Sequence, residues 1–239
     1  MTVEAPARAK TVGLSNNALK IIAMITMLID HIGLELFPEV EIFRIIGRLS
    51  FPIFAYMIAE GCRYTRNRRR YLGIIFALGL AFQAVYFVVS QSFYQGILIT
   101  FSLSISIIFC IDIAIKDKRT VAGVLAILGA LAVGFVIFVC PIILKKWGFE
   151  IDYGAFGVLL PVAVYYVNGK WKKLIAVAVV LSVMALSFGM ARSWFALLSV
   201  PILALYNQTR GKANLKYMFY IFYPAHLVII YAISYFLQG

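Results

Sequence analysis

The sequence is poor in charge and in the residues from which most soluble active sites are built. Only 13% of its 239 residues are charged, and it has two histidines and three cysteines. The cysteines follow no CxxC spacing, and no HExxH pair, Walker loop or GxSxG turn occurs. These absences argue against the common zinc, redox, nucleoside-triphosphate and serine-hydrolase classes, and we expect no bound metal. Cys62, Cys110 and Cys140 are interpreted as small core hydrophobes.

Hydrophobic residues, by contrast, make up 63% of the chain, well above the ~45–50% of soluble domains. A membrane-spanning helix needs roughly 20 apolar residues, and this chain has room for about nine. The sequence therefore predicts an all-α, polytopic transmembrane helix bundle. We place the crossings at about 19–37, 43–62, 72–90, 96–115, 120–144, 153–168, 173–190, 192–206 and 217–237. For the sixth to eighth crossings, a re-entrant or broken segment is an alternative to a full crossing.

The basic residues alternate between the two ends of these crossings. Of the 22 lysines and arginines, 17 fall on the side of the N-terminus and 5 on the other side. The positive-inside rule then places the N-terminus in the cytoplasm and the C-terminus outside. We expect a cytoplasmic segment at 1–18 and one transmembrane domain at 19–239. The start of the chain does not have the pattern of a cleavable signal peptide. The same scattering of positive charge argues against nucleic acid as a partner.

The first crossing carries an ionisable pair, Asp30 and His31, at membrane depth. Such groups are costly in lipid and usually serve a substrate, ion or proton. Glu35 lies one helical turn after His31 and can reach it, and Lys20 lies on the same face about 16 Å away. A buried imidazole beside carboxylates suits a general base. The alternatives are a structural interhelical hydrogen bond for His31 and a snorkelling anchor for Lys20.

The second crossing is the most polar, with Arg44, Arg48, Pro52, Tyr56 and Glu60 at four-residue steps. If the first two helices are antiparallel neighbours, Arg48 lies near the depth of Asp30, and we predict that they pair. A purely structural ion pair is the alternative. Glu60 is expected to face the basic run that follows.

That run, RYTRNRRR, contains five arginines whose forked donors suit phosphate oxygens. Taken alone, it is more often a determinant of topology or a contact with anionic lipid. Its arginines are Arg63, Arg66, Arg68, Arg69 and Arg70.

The last crossing contains the second histidine, His226, about ten residues into the helix and just after Pro224. Tyr223 shares its face. Two midplane histidines in a chain with only two make an incidental role for either less convincing.

Three stretches, LKIIAMITMLIDHIG, FRIIGRLSFPIFAYMIAEGCRYTRNRRRYL and FYIFYPAHLVII, resemble the TraX family over nearly the whole chain. More distantly, the chain resembles integral-membrane acyltransferases, in which a basic residue, ten intervening positions and a histidine mark the first helix. Lys20 and His31 match that spacing. The resemblance implies an enzyme of the bacterial cytoplasmic (inner) membrane that transfers acetyl from acetyl-CoA to an amine, in the family precedent the N-terminal amine of pilin.

On this reading the expected partners are acetyl-CoA, membrane lipids and an acceptor amine, peptide or glycan. We assign catalysis to His31, supported by Asp30, Arg48, Glu35 and His226. Binding of the coenzyme is assigned to Lys20, Glu60, Arg63, Arg66, Arg68, Arg69 and Tyr223. Direct transfer and an acetyl-histidine intermediate both stay open.

Two other classes of function fit the same residues. A proton-coupled secondary transporter would use Asp30, His31, Glu60 and Asp112 as a relay and need no coenzyme. A scaffold or chaperone for an envelope assembly would use the intramembrane charges only to hold helices together.

Overall fold

The computed structural model describes residues 13–117, 119–211 and 216–238, so most of the predicted 1–18 segment lies outside the described residues. Within these ranges six helical spans are long and apolar enough to cross a membrane, and three further apolar helices are shorter. These nine segments confirm the predicted helical bundle, and the protein is a multi-pass helical membrane protein. The helices are α1 (Asn16–Glu35), α2 (Glu41–Gly47), α3 (Ser50–Tyr64), α4 (Arg68–Ser90), α5 (Ile97–Asp117), α6 (Val121–Phe138), α7 (Cys140–Ile143), α8 (Gly154–Tyr166), α9 (Lys170–Phe188), α10 (Ser199–Ala204) and α11 (Lys216–Gln238).

Polar side chains cap three helices where the chain leaves the basic face. The Ser15, Asn67 and Thr120 side chains accept hydrogen bonds from backbone N–H groups in the first turns of α1, α4 and α6. Each cap satisfies a donor that has no partner within its helix. The three caps therefore set where these helices begin.

The second predicted crossing is one span but two helices. Pro52 has no N–H, so the carbonyl of Arg48 cannot receive the usual helical hydrogen bond. The N–H groups of Arg48 and Leu49 instead bond to carbonyls three residues back, at 3.2 Å each. These bonds to the third residue back make a tighter turn than an α-helix, and this turn separates α2 from α3. A similar break occurs in the eighth segment, where a 3₁₀ helix at Ala191–Leu198 precedes α10.

Two glycines let α1 and α2 pack closely as antiparallel neighbours. A Cβ atom on Gly33 would lie 2.4 Å from the Cβ of Phe43, and one on Gly47 would lie 2.0 Å from Oδ1 of Asp30. Neither position has room for a side chain. This close approach brings the charged residues of the two helices together.

The core lies between α1, α3, α5, α8 and α9, while α4 and α6 carry many exposed apolar side chains suited to a lipid-facing position. The side chains that are completely covered include Leu19, Ile53, Ile105, Leu160, Val177 and Leu181.

Two connections on the face with few basic residues are tied together by backbone hydrogen bonds. The N–H of Phe93 donates to the carbonyl of Trp147 at 3.2 Å, Gln95 to Glu150 at 2.7 Å, and Asp152 to Gln95 at 3.0 Å. We call this element, residues 93–95 with 147–152, the loop clip. It holds the chain between α7 and α8 in place beside the start of α5.

Candidate active site

A cavity of about 590 Å³ lies between the second half of α1, α2, the start of α3, the loop clip and the end of α9. The connections nearest to it lie on the face with 5 of the 22 basic side chains. The cavity therefore opens on the face opposite the arginine run. The charged and polar side chains in its wall include Asp30, His31, Arg44, Arg48, Asp152 and Tyr223.

The two histidines of the chain meet beside this cavity. Nε2 of His226 lies 3.4 Å from Nδ1 of His31, and the two rings are edge to face with centroids 5.1 Å apart. His31 forms part of the cavity wall, and His226 is buried behind it with 4% of its surface exposed. The sequence predicted both residues for the site but not their contact.

Their hydrogen bonds define which ring nitrogens carry protons. Nδ1 of His31 lies 2.9 Å from the carbonyl oxygen of Met27, and Nδ1 of His226 lies 2.8 Å from that of Phe222. A carbonyl only accepts, so both Nδ1 atoms are donors and, in the neutral rings, both Nε2 atoms have a lone pair. His226 uses its lone pair to face His31. In His31, which lines the cavity, Nε2 has the lone pair that a base needs.

Asp30 pairs with Arg44, and the predicted pair with Arg48 is wrong. Oδ2 of Asp30 lies 2.8 Å from Nη1 of Arg44, which also donates to the backbone carbonyl of Asp30 at 3.2 Å. The reason is the break before Pro52, which ends α2 at Gly47 and leaves Arg44, not Arg48, facing Asp30. The proline was visible in the sequence and could have indicated this.

Arg48 is left with an unused donor in the cavity wall. Its Nε atom is buried and has no hydrogen-bond partner among the described residues, as is also true of Oδ1 of Asp30. A buried polar group without a partner is costly. Arg48 also lines the cavity, so it brings a positive charge to the cavity wall.

The loop clip supplies a carboxylate that sequence reasoning missed. Asp152 lies in the cavity wall, and its carboxylate accepts a hydrogen bond from the hydroxyl of Tyr94. Burial raises the pKa of Asp152 to about 6, against the opposing effects of the Tyr94 hydrogen bond and the nearby Arg48. Burial also raises the pKa of Tyr94, so its hydroxyl stays protonated. The only signal in the sequence was an acid immediately before the short sixth helix.

Three other predicted residues take different places. Tyr223 lies in the cavity wall, with its ring centroid 5.9 Å from that of His226. Glu35 is half-buried and is not among the hydrogen-bond partners that the structure gives for His31. Lys20 lies toward the basic face on α1, where Arg210 is a neighbouring positive charge.

Glu60 does not face the arginine run, contrary to the prediction. It is 3% exposed and forms a buried ion pair with Lys173 of α9, whose ammonium also lies 5.6 Å from the ring centroid of Tyr56. The four-residue stripe placed Glu60 on the correct helix face but could not show that α9 covers that face. A role in binding a coenzyme is not available to a carboxylate enclosed in this way.

Two side chains of the arginine run bind neighbouring residues, and three other exposed ones are called the open arginines. Arg63 donates to Asn168 at 3.2 Å and to the carbonyl of Tyr165. Arg68 pairs with Asp112 at 2.6 Å, and that carboxylate also accepts hydrogen bonds from two tyrosines of α8. Arg66, Arg69 and Arg70 are exposed.

No group of three or more His, Cys, Asp or Glu side chains in the described part of the chain is arranged to hold a metal ion. The described wall of the cavity offers an imidazole, guanidinium groups and carboxylates. This set can move a proton, stabilise a developing negative charge and bind a cation.

A family model described as "TraX protein" matches residues 15–234 of the chain. The protein belongs to the TraX family. A relative in Dichelobacter nodosus, named "Probable fimbrial assembly protein FimC, serogroup H1", is 25% identical over 96% of this chain and 100% of its own length. An uncharacterized protein of Rickettsia prowazekii (strain Madrid E) is 58% identical over a short stretch, 16% of this chain and 15% of that protein. No solved structure matches this TraX protein.

Proposed function

We propose that this TraX protein is an acetyltransferase of the bacterial cytoplasmic membrane that uses acetyl-CoA and acts on an amine or hydroxyl acceptor. The observation that carries the proposal is that His31, whose Nδ1 bonds to the Met27 carbonyl and whose Nε2 can therefore act as a base, lines the same cavity as Arg48. The name of the Dichelobacter relative adds a fimbrial precedent, so a pilin-like acceptor is included in the proposal.

In the proposed reaction, the neutral nitrogen or oxygen of the acceptor attacks the carbonyl carbon of the thioester. The new C–N or C–O bond forms, the C–S bond breaks, and Nε2 of His31 takes the proton that the acceptor releases. That proton is then returned to the sulfur of the departing coenzyme. The guanidinium of Arg48, which lines the cavity, donates to the carbonyl oxygen as negative charge develops on it.

His226 positions His31 in this scheme. Its Nε2 faces the same Nδ1–H that the Met27 carbonyl accepts, so the two acceptors together favour the tautomer whose Nε2 is the base. The Asp30–Arg44 pair fixes the α1–α2 contact from which His31 projects.

The coenzyme is proposed to approach from the basic face. Arg66, Arg69 and Arg70 are the open arginines there and suit its phosphates. From Tyr64 to Arg48 the helix rises about 24 Å, so the thioester arm must pass along α3 toward the cavity. The acceptor enters the cavity from the opposite face.

The test is turnover of acetyl-CoA by the purified protein in nanodiscs, with a panel of amine and hydroxyl acceptors followed by mass. We expect acceptor-dependent release of free CoA that is lost in His31→Ala and retained in Glu39→Gln, an exposed carboxylate on the same face as the cavity. Absence of turnover together with absence of acetyl-CoA binding by calorimetry would contradict the proposal. Substrate uptake without coenzyme would then favour a transporter.

A further inference from the structure

Hydrogen bonds hold both the backbone and the side chain of Asp152 in place. Its N–H donates to the carbonyl of Gln95 at 3.0 Å, and its own carbonyl accepts from Oγ1 of Thr100 at 3.2 Å. Its carboxylate receives the Tyr94 hydroxyl from the other half of the loop clip. Both elements of the clip therefore position one carboxylate at the cavity.

The charges around Asp152 leave it with spare capacity for a cation. Arg44 is already neutralised by Asp30, so Arg48 is the remaining positive side chain in the described wall of the cavity. A carboxylate has about four acceptor sites, and one is used by Tyr94. Burial outweighs the partners that Asp152 has, as the raised pKa of its carboxyl shows. A cation bound beside the carboxylate would compensate for the hydration that the carboxylate loses on burial.

We infer that Asp152 is the specificity-determining residue of the cavity, which binds the ammonium form of an acceptor and so selects amines over hydroxyl compounds. The bound ammonium releases one proton to water before the neutral amine attacks, and His31 takes the second proton as the C–N bond forms. The inference rests on the proposed function, and it assigns the recognition of an amine acceptor, the class that the family resemblance implies, to one residue of the loop clip. Glu150, also in the cavity wall and exposed, adds a second negative charge that favours an entering cation. Phe51, Phe54 and Phe188 form apolar wall suited to the rest of such a molecule.

Binding of three matched probes tests the inference without any coenzyme. The probes are the dipeptide amide Phe-Phe-NH₂, its N-acetyl form, and the analogue in which a hydroxyl replaces the ammonium group. Calorimetry on the full-length protein in nanodiscs should show the ammonium probe binding at least about tenfold more tightly than the other two, because a charge-assisted hydrogen bond is lost in each.

Substitutions test whether Asp152, and not a neighbouring residue, causes the preference for the ammonium probe. Asp152→Asn should abolish the preference for the ammonium probe, whereas Asp152→Glu should restore part of it and Tyr94→Phe should retain it because the carboxylate charge remains. Glu39→Gln removes a negative charge from the same face outside the cavity and should leave the preference unchanged. Equal binding of the three probes by the unaltered protein, or an undiminished preference in folded Asp152→Asn, would overturn the inference.

These outcomes are distinguishable from a failure of the proposed function. Selective ammonium binding without acetyl transfer would contradict the enzyme and leave the ammonium site intact. Acetyl transfer with equal binding of all three probes would support the enzyme and remove Asp152 from acceptor selection.

Discussion

Nε2 of His226 faces Nδ1 of His31 at 3.4 Å across the contact between α1 and α11, so His226 contacts the Nδ1 side of the His31 ring. The His226 ring is itself held by its Nδ1 bond to Phe222 and by stacking on the Phe222 ring, with centroids 4.8 Å apart. The orientation of His31 is therefore set from a neighbouring helix that is 195 residues away in sequence.

Replacement of His226 should slow acetyl transfer without abolishing it. His226→Phe keeps an aromatic ring in place but removes the second acceptor that faces Nδ1 of His31, so the Met27 carbonyl alone holds the ring and its orientation is less fixed. We expect kcat to fall about tenfold with KM little changed, compared with a loss of about 10²-fold or more for His31→Ala. Steady-state kinetics over a range of pH measures both.

A merely structural role for His226 can be told apart from a positioning role by rescue. His226→Asn restores an acceptor and a donor, and should recover part of the lost kcat and the unaltered pH profile. A His226→Phe variant with full activity, or one whose loss matches its loss of thermal stability, would contradict positioning.

The ion pair between Asp30 and Arg44 should contribute to stability. Asp30→Asn removes one partner and leaves a half-buried guanidinium, so we expect a loss of about 2 kcal/mol, seen as a Tm lower by roughly 4–8 °C. A double-mutant cycle with Arg44→Gln should show coupling between the two positions. Additive effects of the two single changes would instead indicate that the 2.8 Å contact contributes nothing.

Gly47→Ala tests the close packing of α1 on α2. A Cβ at this position would meet Oδ1 of Asp30 at 2.0 Å, so the helices must separate, and we expect Tm to fall by about 5 °C or more. Gly73→Ala in α4 is the matched control, since nothing lies within 4 Å of its Cβ position. Its Tm should stay the same or rise slightly, because alanine is the better helix former. Equal Tm values for the two variants would argue against the tight contact.

The stability of the protein should depend on the ionisation of Asp152. Its carboxyl has a pKa of about 6 in the fold, against an ordinary value of 3.8. Between these values the folded state binds more protons than the unfolded state, so this group stabilises the fold most below pH 3.8 and progressively less as pH rises through about 6. The groups that act on it are Tyr94, Arg48 and Asp30, with its own neighbour Tyr153.

Asp152→Asn should therefore raise Tm by a few degrees at neutral pH while weakening the binding of the ammonium probe. It should also flatten the dependence of Tm on pH between about 4 and 6, because the group that titrates there is gone. Thermal melts across this range compare the variant with the unaltered protein. An unchanged slope would show that another group causes it.

The arginine run should separate into coenzyme and structural functions. Arg66→Gln with Arg69→Gln removes two open arginines, so the KM for acetyl-CoA should rise severalfold while Tm changes little. Arg68→Gln breaks the contact with Asp112 and should lower Tm instead. A KM for acetyl-CoA that is unaffected by the double change would indicate that these arginines serve topology or lipid contact.

Much of the architecture could be read from the chain because lipid requires long apolar helices and places basic loops on one side. The number of segments, the position of α1 and the break near residue 190 follow from apolar run length and from glycine and proline placement. The predicted partner of Asp30 is wrong because a regular four-residue stripe assumes one continuous helix, whereas the chain breaks between α2 and α3. Glu60 was misjudged because no pattern in its own helix shows that Lys173 approaches from α9.

The residues of the candidate site could also be predicted only in part. His31, His226 and Tyr223 were identifiable because polar side chains within apolar helices are few. Asp152 was not, since a carboxylate in a connection is ordinary until the loop clip is seen to fold it over the cavity. Residue type therefore predicted the members of the site that lie in helices, whereas the member in a loop needed backbone hydrogen bonds that no sequence pattern indicates.

The opening of the cavity on the face opposite the arginine run has a consequence for transport. In the proposed reaction the bulky, highly charged coenzyme stays on the basic side, and only a two-carbon acyl unit reaches the far compartment. The reaction is then a group translocation, in which the chemical step is also the membrane crossing. A compartment that lacks acetyl-CoA could still have its molecules acetylated, and those that had not yet been exported would remain unmodified.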